Sequence, residues 1–215
     1  MEYKDINIRK YKQLCKLQED CFGMEDIDIQ VKMISIIYDL TEEEVLNLPL
    51  AEYKEKANGL MFLTPAPKPK KGLPTRLKLN GKEYKVIENV REMTAGQYID
   101  YQSYISNNST DFFSHILSCI IVPKNGKYGD NIEQTINDIE EYLSVEEALT
   151  ISNFFMKKSR SLIKATLFYL EWKMKKQMKQ TKDETVKKQM KEAKEKIHML
   201  RHILKNGDGF PQLMI

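Results

Sequence analysis

The sequence predicts a mainly α protein, a helical domain with one β-hairpin and a C-terminal antiparallel helical hairpin arm. Three observations point there. The pairs Thr41/Glu44, Thr94/Gln97 and Ser144/Glu147 each have capping-box spacing, and each precedes a helix-forming stretch. One Asn80-Gly81 dipeptide stands between alternating apolar residues, the pattern of a type I′ hairpin. Near the C-terminus, Val186, Met190, Ala193, Ile197, Leu200 and Leu204 step by 4, 3, 4, 3 and 4 residues, a heptad seam.

Taken in order, residues 6–20 and 26–39 read as two amphipathic helices, the second with Ile27, Val31, Ile34 and Tyr38 at helical spacing. Thr41 opens TEEE, whose carboxylates suit the positive end of a helix. Pro49 starts another helix, LAEYKEKANGLMFL, with Leu50, Tyr53, Ala57 and Leu60 on one face. Residues 64–75, TPAPKPKKGLPT, hold four prolines, three lysines and a glycine, an extended linker or a strap over a surface. The hairpin LKLNGKEYKV follows, with Leu77, Leu79, Tyr84 and Val86 as its apolar positions. An isolated two-stranded hairpin is marginal in water, so it must lie on helices, join a sheet edge or meet a second chain.

Thr94 caps a helix whose buried side is read as Ile99, Tyr101 or Gln102, and Ile105. Ser109 or Thr110 then starts DFFSHILSCIIV, read as a central helix apolar nearly all round. The turn-rich PKNGKYGDN, a helix over 131–143 and the helix opened by Ser144 complete the body. From about residue 155 two long helices, broken near TKDE at 181–184, form the arm, with Ile163, Leu167, Leu170, Met174 and Met178 as the stripe facing the heptad seam. The division expected is 1–63, an N-terminal helical region; 64–75, a linker; 76–156, hairpin plus helical core; and 157–215, a basic helical hairpin and tail.

Composition bounds the function. Apolar residues make up 41% and charged ones 30% of 215, which supports a packed core. No apolar run approaches the ~20 residues of a membrane span. The charged start MEYKDINIRKYK predicts no signal peptide. Cys15, Cys21 and Cys119 lack CxxC spacing and read as reduced thiols of a cytosolic compartment. Charge is uneven: residues 1–60 carry 8 Lys/Arg against 13 Asp/Glu, net −5, whereas 157–205 carry 16 against 5, net +11.

The candidates for chemistry are thin, and no enzyme is predicted. His198 and His202 lie one helical turn apart beside Glu195, but facing helices offer few carboxylates to complete a metal site. His115 and Cys119 share an apolar helix with nothing to orient them as a nucleophile pair. No cofactor or metal is expected. Carboxylates in 42–44 and at 140–141 read as capping and solvation. The lysines of the arm, with Lys175, Lys176, Lys187 and Lys188 foremost, invite a nucleic-acid reading, against which stands the want of arginine and aromatics within that run.

The ordered set EEEVLNLPLAEY, the Pro-rich strap, LNGKEYKV, MTAGQYIDYQ, IIVPKNGKYGD and SVEEALTISNFFMKK resembles virion-morphogenesis proteins of tailed bacteriophages, over roughly residues 35–160. The family layout is that of tail and baseplate-hub assembly chaperones, or of neck and tail ring components. The basic arm lies outside the resemblance, which brings no catalytic residues with it. It implies a non-enzymatic assembly or structural role through protein–protein contacts with other phage structural proteins, as a homo-oligomer or ring. The expected location is the host cytoplasm during assembly, and the virion for a permanent component. On this reading Tyr98, Tyr101 and Tyr104 present a docking cluster beside an open sheet edge, with covering of the hairpin within one chain as the alternative. Met174, Met178 and Met190 supply an adaptable apolar contact by which the arm packs on the body or on a neighbouring subunit. The alternative function is a nucleic-acid-binding module using the basic arm.

Overall fold

The computed structural model describes residues 1–106, 113–181, 185–187 and 190–197. The chain is mainly helical with one small antiparallel sheet, and it divides into two compact units, Met1–Phe154 and a second beginning at Phe155.

The first unit opens with α1 (Ile8–Asp20), where Asn7 Oδ1 accepts from Lys10 N at 3.0 Å and caps the helix. α2 (Asp26–Tyr38) ends at Asp39 in the left-handed conformation, and its buried stripe is Val31, Ile34 and Ile37. Ile27, expected inside, is exposed in the first turn. α3 (Glu42–Leu46) carries the Thr41/Glu44 capping box in full. α4 (Leu50–Gly59) follows Pro49 and tightens into a 3₁₀ turn at Leu60–Leu63, with Leu60 buried and Leu50 exposed. Gly59 allows α4 to approach α2, because a Cβ there would stand 2.2 Å from the Tyr38 hydroxyl.

The Pro-rich segment behaves as a strap. Pro67 is buried, Lys70 N donates to Thr150 Oγ1 at 2.8 Å, and the Lys70 ammonium meets Glu146 at 2.8 Å. β1 (Arg76–Leu79) and β2 (Lys82–Val86) then form the expected hairpin, with Asn80 at φ 49° and Gly81 at φ 73°. Leu77 pairs with Tyr84, and the four apolar residues named from sequence are buried.

The hairpin does not stand alone. α5 (Ala95–Ser106) leads toward α6 (Phe113–Ser118), which is short and gives way to β3 (Ile121–Pro123). β3 pairs antiparallel with β2, so the sheet has three strands in the order β1-β2-β3. This corrects the single helix expected through Val122. Two physical reasons favour the strand. Ile120-Ile121-Val122 is β-branched and runs into Pro123, which disfavours helix in the residue before it. The β2 edge also offers partners: Ile87 N donates to Ile120 O at 2.8 Å and Lys124 N to Glu83 O at 3.0 Å.

α7 (Ile132–Tyr142) packs on α1, α6 and β1. Just after α7, backbone bonds return to the N-terminal segment: Ile8 N donates to Leu143 O at 3.2 Å and Val145 N to Ile6 O at 3.0 Å. The core gathers here, with Ile8, Leu117, Ile121, Ile139, Leu143 and Val145 buried. Glu140, expected on the solvated surface, instead ties α7 to two neighbours, meeting the Lys12 ammonium at 2.8 Å and accepting from Ser114 Oγ at 2.7 Å.

α8 (Val145–Gln180) starts at the Ser144/Glu147 box and runs 36 residues, about 54 Å. It continues without a break past residue 156. In the second unit Leu167 and Ile197, one from each predicted stripe, are buried. Met174, Met178 and Met190 are half-buried and Ala193 is exposed. Lys188, His198, Leu200, His202 and Leu204 lie outside the described residues, as do Ser109 and Thr110.

Candidate interaction surface

A buried carboxylate fastens the hairpin to α7. Asp138, 1% exposed, accepts from Tyr84 Oη at 2.6 Å, Gln134 Nε2 at 2.9 Å, and Asn80 Nδ2 and Lys82 Nζ at 3.1 Å each. Burial raises its pKa, but the four hydrogen bonds together outweigh burial and hold it below the usual carboxylate value. Burial, then the Asp138 carboxylate, push the Tyr84 phenol up, so it stays a donor. This cluster is saturated by its own chain and is architecture. Nothing in the sequence marked Asp138 as buried, because α7 reads as a polar surface helix at that position.

The same holds beneath α5. Gln97 closes the capping box with Thr94 and also donates Nε2 to Cys119 O at 3.0 Å. Tyr128 Oη donates to Asp100 Oδ2 at 2.8 Å and lies 3.5 Å from Cys119 Sγ. Burial pushes the Cys119 thiol up to about 11, which suits a packed thiol and opposes a nucleophile. The His115 ring lies against Tyr104, 5.2 Å between centroids.

The tyrosine cluster does not form one docking face. Tyr98 is exposed, Tyr104 half-buried, and Tyr101 only 1% exposed. Of the hairpin's two edges, that of β2 is taken by β3 of the same chain, while β1 stays an edge strand among the described residues.

A cleft of about 430 Å³ opens in the N-terminal region, lined by Tyr11, Leu14, Cys15, Cys21, Ile29 and Met33 among others. Burial raises the Cys15 pKa. Its separation from Cys21 is six residues, about 9 Å of helical rise, too far for a disulfide. Beside the cleft, Phe22 is 100% exposed, and Met24 and Ile27 are exposed with it. Five acids, Glu19, Asp20, Glu25, Asp26 and Asp28, surround them in sequence, and none forms an ion pair among the described residues.

A group of three exposed aromatics lies on α8 within the second unit. Phe168, Tyr169 and Trp172 are exposed, Trp172 at 54%, with Tyr169 and Trp172 centroids 6.1 Å apart. Helical periodicity puts these three and Lys175 and Lys176 within about 120° of one another. Leu167, Glu171, Met174 and Met178, buried or half-buried, form a stripe centred about 130° away, with Glu171 at its border beside Lys175. The Lys176 ammonium lies 5.7 Å from the Trp172 ring centroid, and Lys175 pairs with Glu171 at 3.3 Å. Lys187 is helical and half-buried. So the arm has two faces, one apolar and inward with the methionines, one aromatic and basic. The sequence reading took the methionine face as the contact. The exposed signal was FYLEWK, where aromatics fall outside the stripe.

Among the described residues, no helix is long and apolar enough to cross a membrane, and no three metal-ligating side chains cluster. No protein-family model, curated protein or solved structure matches this chain.

Proposed function

We propose that this chain is a non-enzymatic assembly or structural protein of a tailed-phage virion, acting through protein–protein contacts with other structural proteins and with copies of itself. The observation that carries the contact reading is the aromatic face Phe168/Tyr169/Trp172 on a long basic helix. Exposed aromatics grouped on one face are costly in water and serve as anchors at interfaces. The resemblance over residues 35–160 supplies the phage setting, a tail, neck or portal-associated component or an assembly chaperone. The deeply buried thiol and the self-satisfied Asp138 cluster are in keeping with architecture rather than catalysis.

The test is genetic and compositional. Particles purified from the source phage should contain the protein, as a ring or connector component, or should fail to assemble without it, as for a chaperone active in the host cytoplasm. Normal infectious particles after deletion would refute the role.

One observation favours a second reading. Trp172 and Tyr169 beside Lys175 and Lys176 combine stacking surface with phosphate-neutralising charge, the pairing used for single-stranded nucleic acid. DNA affinity that falls steeply with salt, and is lost on changing Lys175, Lys176, Lys187 and Lys188 to Glu, would support it. Negligible binding at low salt would remove it.

A further inference from the structure

We infer that the aromatic-basic face of α8 receives the acidic Phe22 tip of a second copy of this chain. The inference rests on the protein-contact reading above and names the partner. The tip EDCFGMEDID offers three exposed apolar side chains, Phe22, Met24 and Ile27, and no basic residue occurs between Leu17 and Val31. The α8 face offers Phe168, Tyr169 and Trp172, and the next turn adds Lys173, Lys175 and Lys176.

Apolar matches apolar on the two surfaces, and charge is opposite. Such complementarity steers encounter and fixes register, while the buried aromatics supply affinity. Phe22 is wholly exposed, so no described residue of its own chain covers it. A nucleic acid fits the basic face but is repelled by the tip. A second copy fits both. Every copy carries both halves, so two copies make the contact either reciprocally, as an isologous two-fold pair, or head to tail, as a heterologous ring or open filament.

The experiment uses the full chain and light scattering with size-exclusion chromatography over a concentration series. Four variants are used, Trp172→Ser at a half-exposed position and three that leave the fold intact by design. Phe22→Ser alters a side chain that touches nothing. Glu19→Lys with Asp20→Lys places positive charge at a helix C-terminus, where it is favoured. Lys173→Glu with Lys176→Glu changes exposed positions. Circular dichroism checks each.

The wild type should form an integral oligomer that loosens as salt rises from about 0.05 M to about 0.5 M. Phe22→Ser and Trp172→Ser should each weaken association at least about 10-fold, as expected for loss of an aromatic anchor. The two charge-reversal variants should be monomers apart and should associate when mixed. A monomeric wild type at every concentration overturns the proposal, and so does an oligomer indifferent to Phe22→Ser. Those results leave the virion role standing, since that role is read from particles and deletion.

Discussion

Replacing Asp138 with Ala should destabilise the first unit by about 3–4 kcal/mol. The figure is built from the four bonds it accepts. The Tyr84 bond is buried and charge-assisted, worth about 1.5–3 kcal/mol. The Asn80 and Gln134 bonds are partly buried and contribute about 1 kcal/mol each. The Lys82 ammonium is half in water, so its pair contributes about 0–1 kcal/mol. Four donors share two oxygens, so the whole is less than the sum of its parts. The assay is urea unfolding followed by far-UV circular dichroism, because the single Trp172 lies in the second unit and its fluorescence reports elsewhere. A double-mutant cycle with Tyr84→Phe isolates the central bond: Tyr84→Phe should cost about 1–2 kcal/mol in the wild type and clearly less beside Asp138→Asn. A cost for Asp138→Ala under about 1 kcal/mol, or no coupling in the cycle, would refute the reasoning.

Three further outcomes follow from the geometry. Asp138 and Glu140 are both held below their ordinary values of 3.8 and 4.5, so their stabilisation is present above those values and is lost as pH falls through the lower folded ones. Acid titration should therefore show stability declining from about pH 5 downward, and less steeply in Asp138→Asn. Gly59→Ala drives a methyl into the Tyr38 hydroxyl and should therefore forfeit the ~1 kcal/mol that Ala ordinarily gains over Gly in a helix, whereas Tyr38→Phe in the same chain should restore that gain, both read by thermal melting. With its thiol pushed up to about 11, Cys119 is about one part in a thousand thiolate at pH 8, so iodoacetamide should label it only on unfolding. Mass spectrometry of labelled peptides would show Cys15 and Cys21 modified first, and equal rates for all three would contradict the burial argument.

What could be read from the sequence was local. Capping boxes at Thr41, Thr94 and Ser144 bind residues three apart, and the Asn80-Gly81 turn depends on two backbone angles, so short spans sufficed. β3 was missed because its conformation is decided by the waiting edge of β2, some 35 residues earlier in the chain. Polar side chains in the core were missed for a related reason. Gln97 and Asp138 look like surface residues until their distant partners are known. Apolar spacing also overreached at helix starts. Ile27 and Leu50 fit a periodic stripe, yet each sits in a first turn with no neighbouring element over it. Of the tyrosines of α5, Tyr101 is taken into the core while Tyr98 stays exposed, a difference set by the neighbouring elements rather than by spacing.

The pairing of Ile6–Ile8 with Leu143–Val145 has a consequence for synthesis. The two segments joined by this bridge are separated by 139 residues, so the one around Ile6 waits for the one around Val145. At ~5–20 residues per second that wait is about 7–28 s. Throughout it α1 has neither α7 nor the α7–α8 junction to cover Ile8, and that side chain stays open to solvent or to whatever binds nascent chains. A stall or truncation anywhere before residue 145 would therefore release an open, adhesive product rather than a smaller folded one.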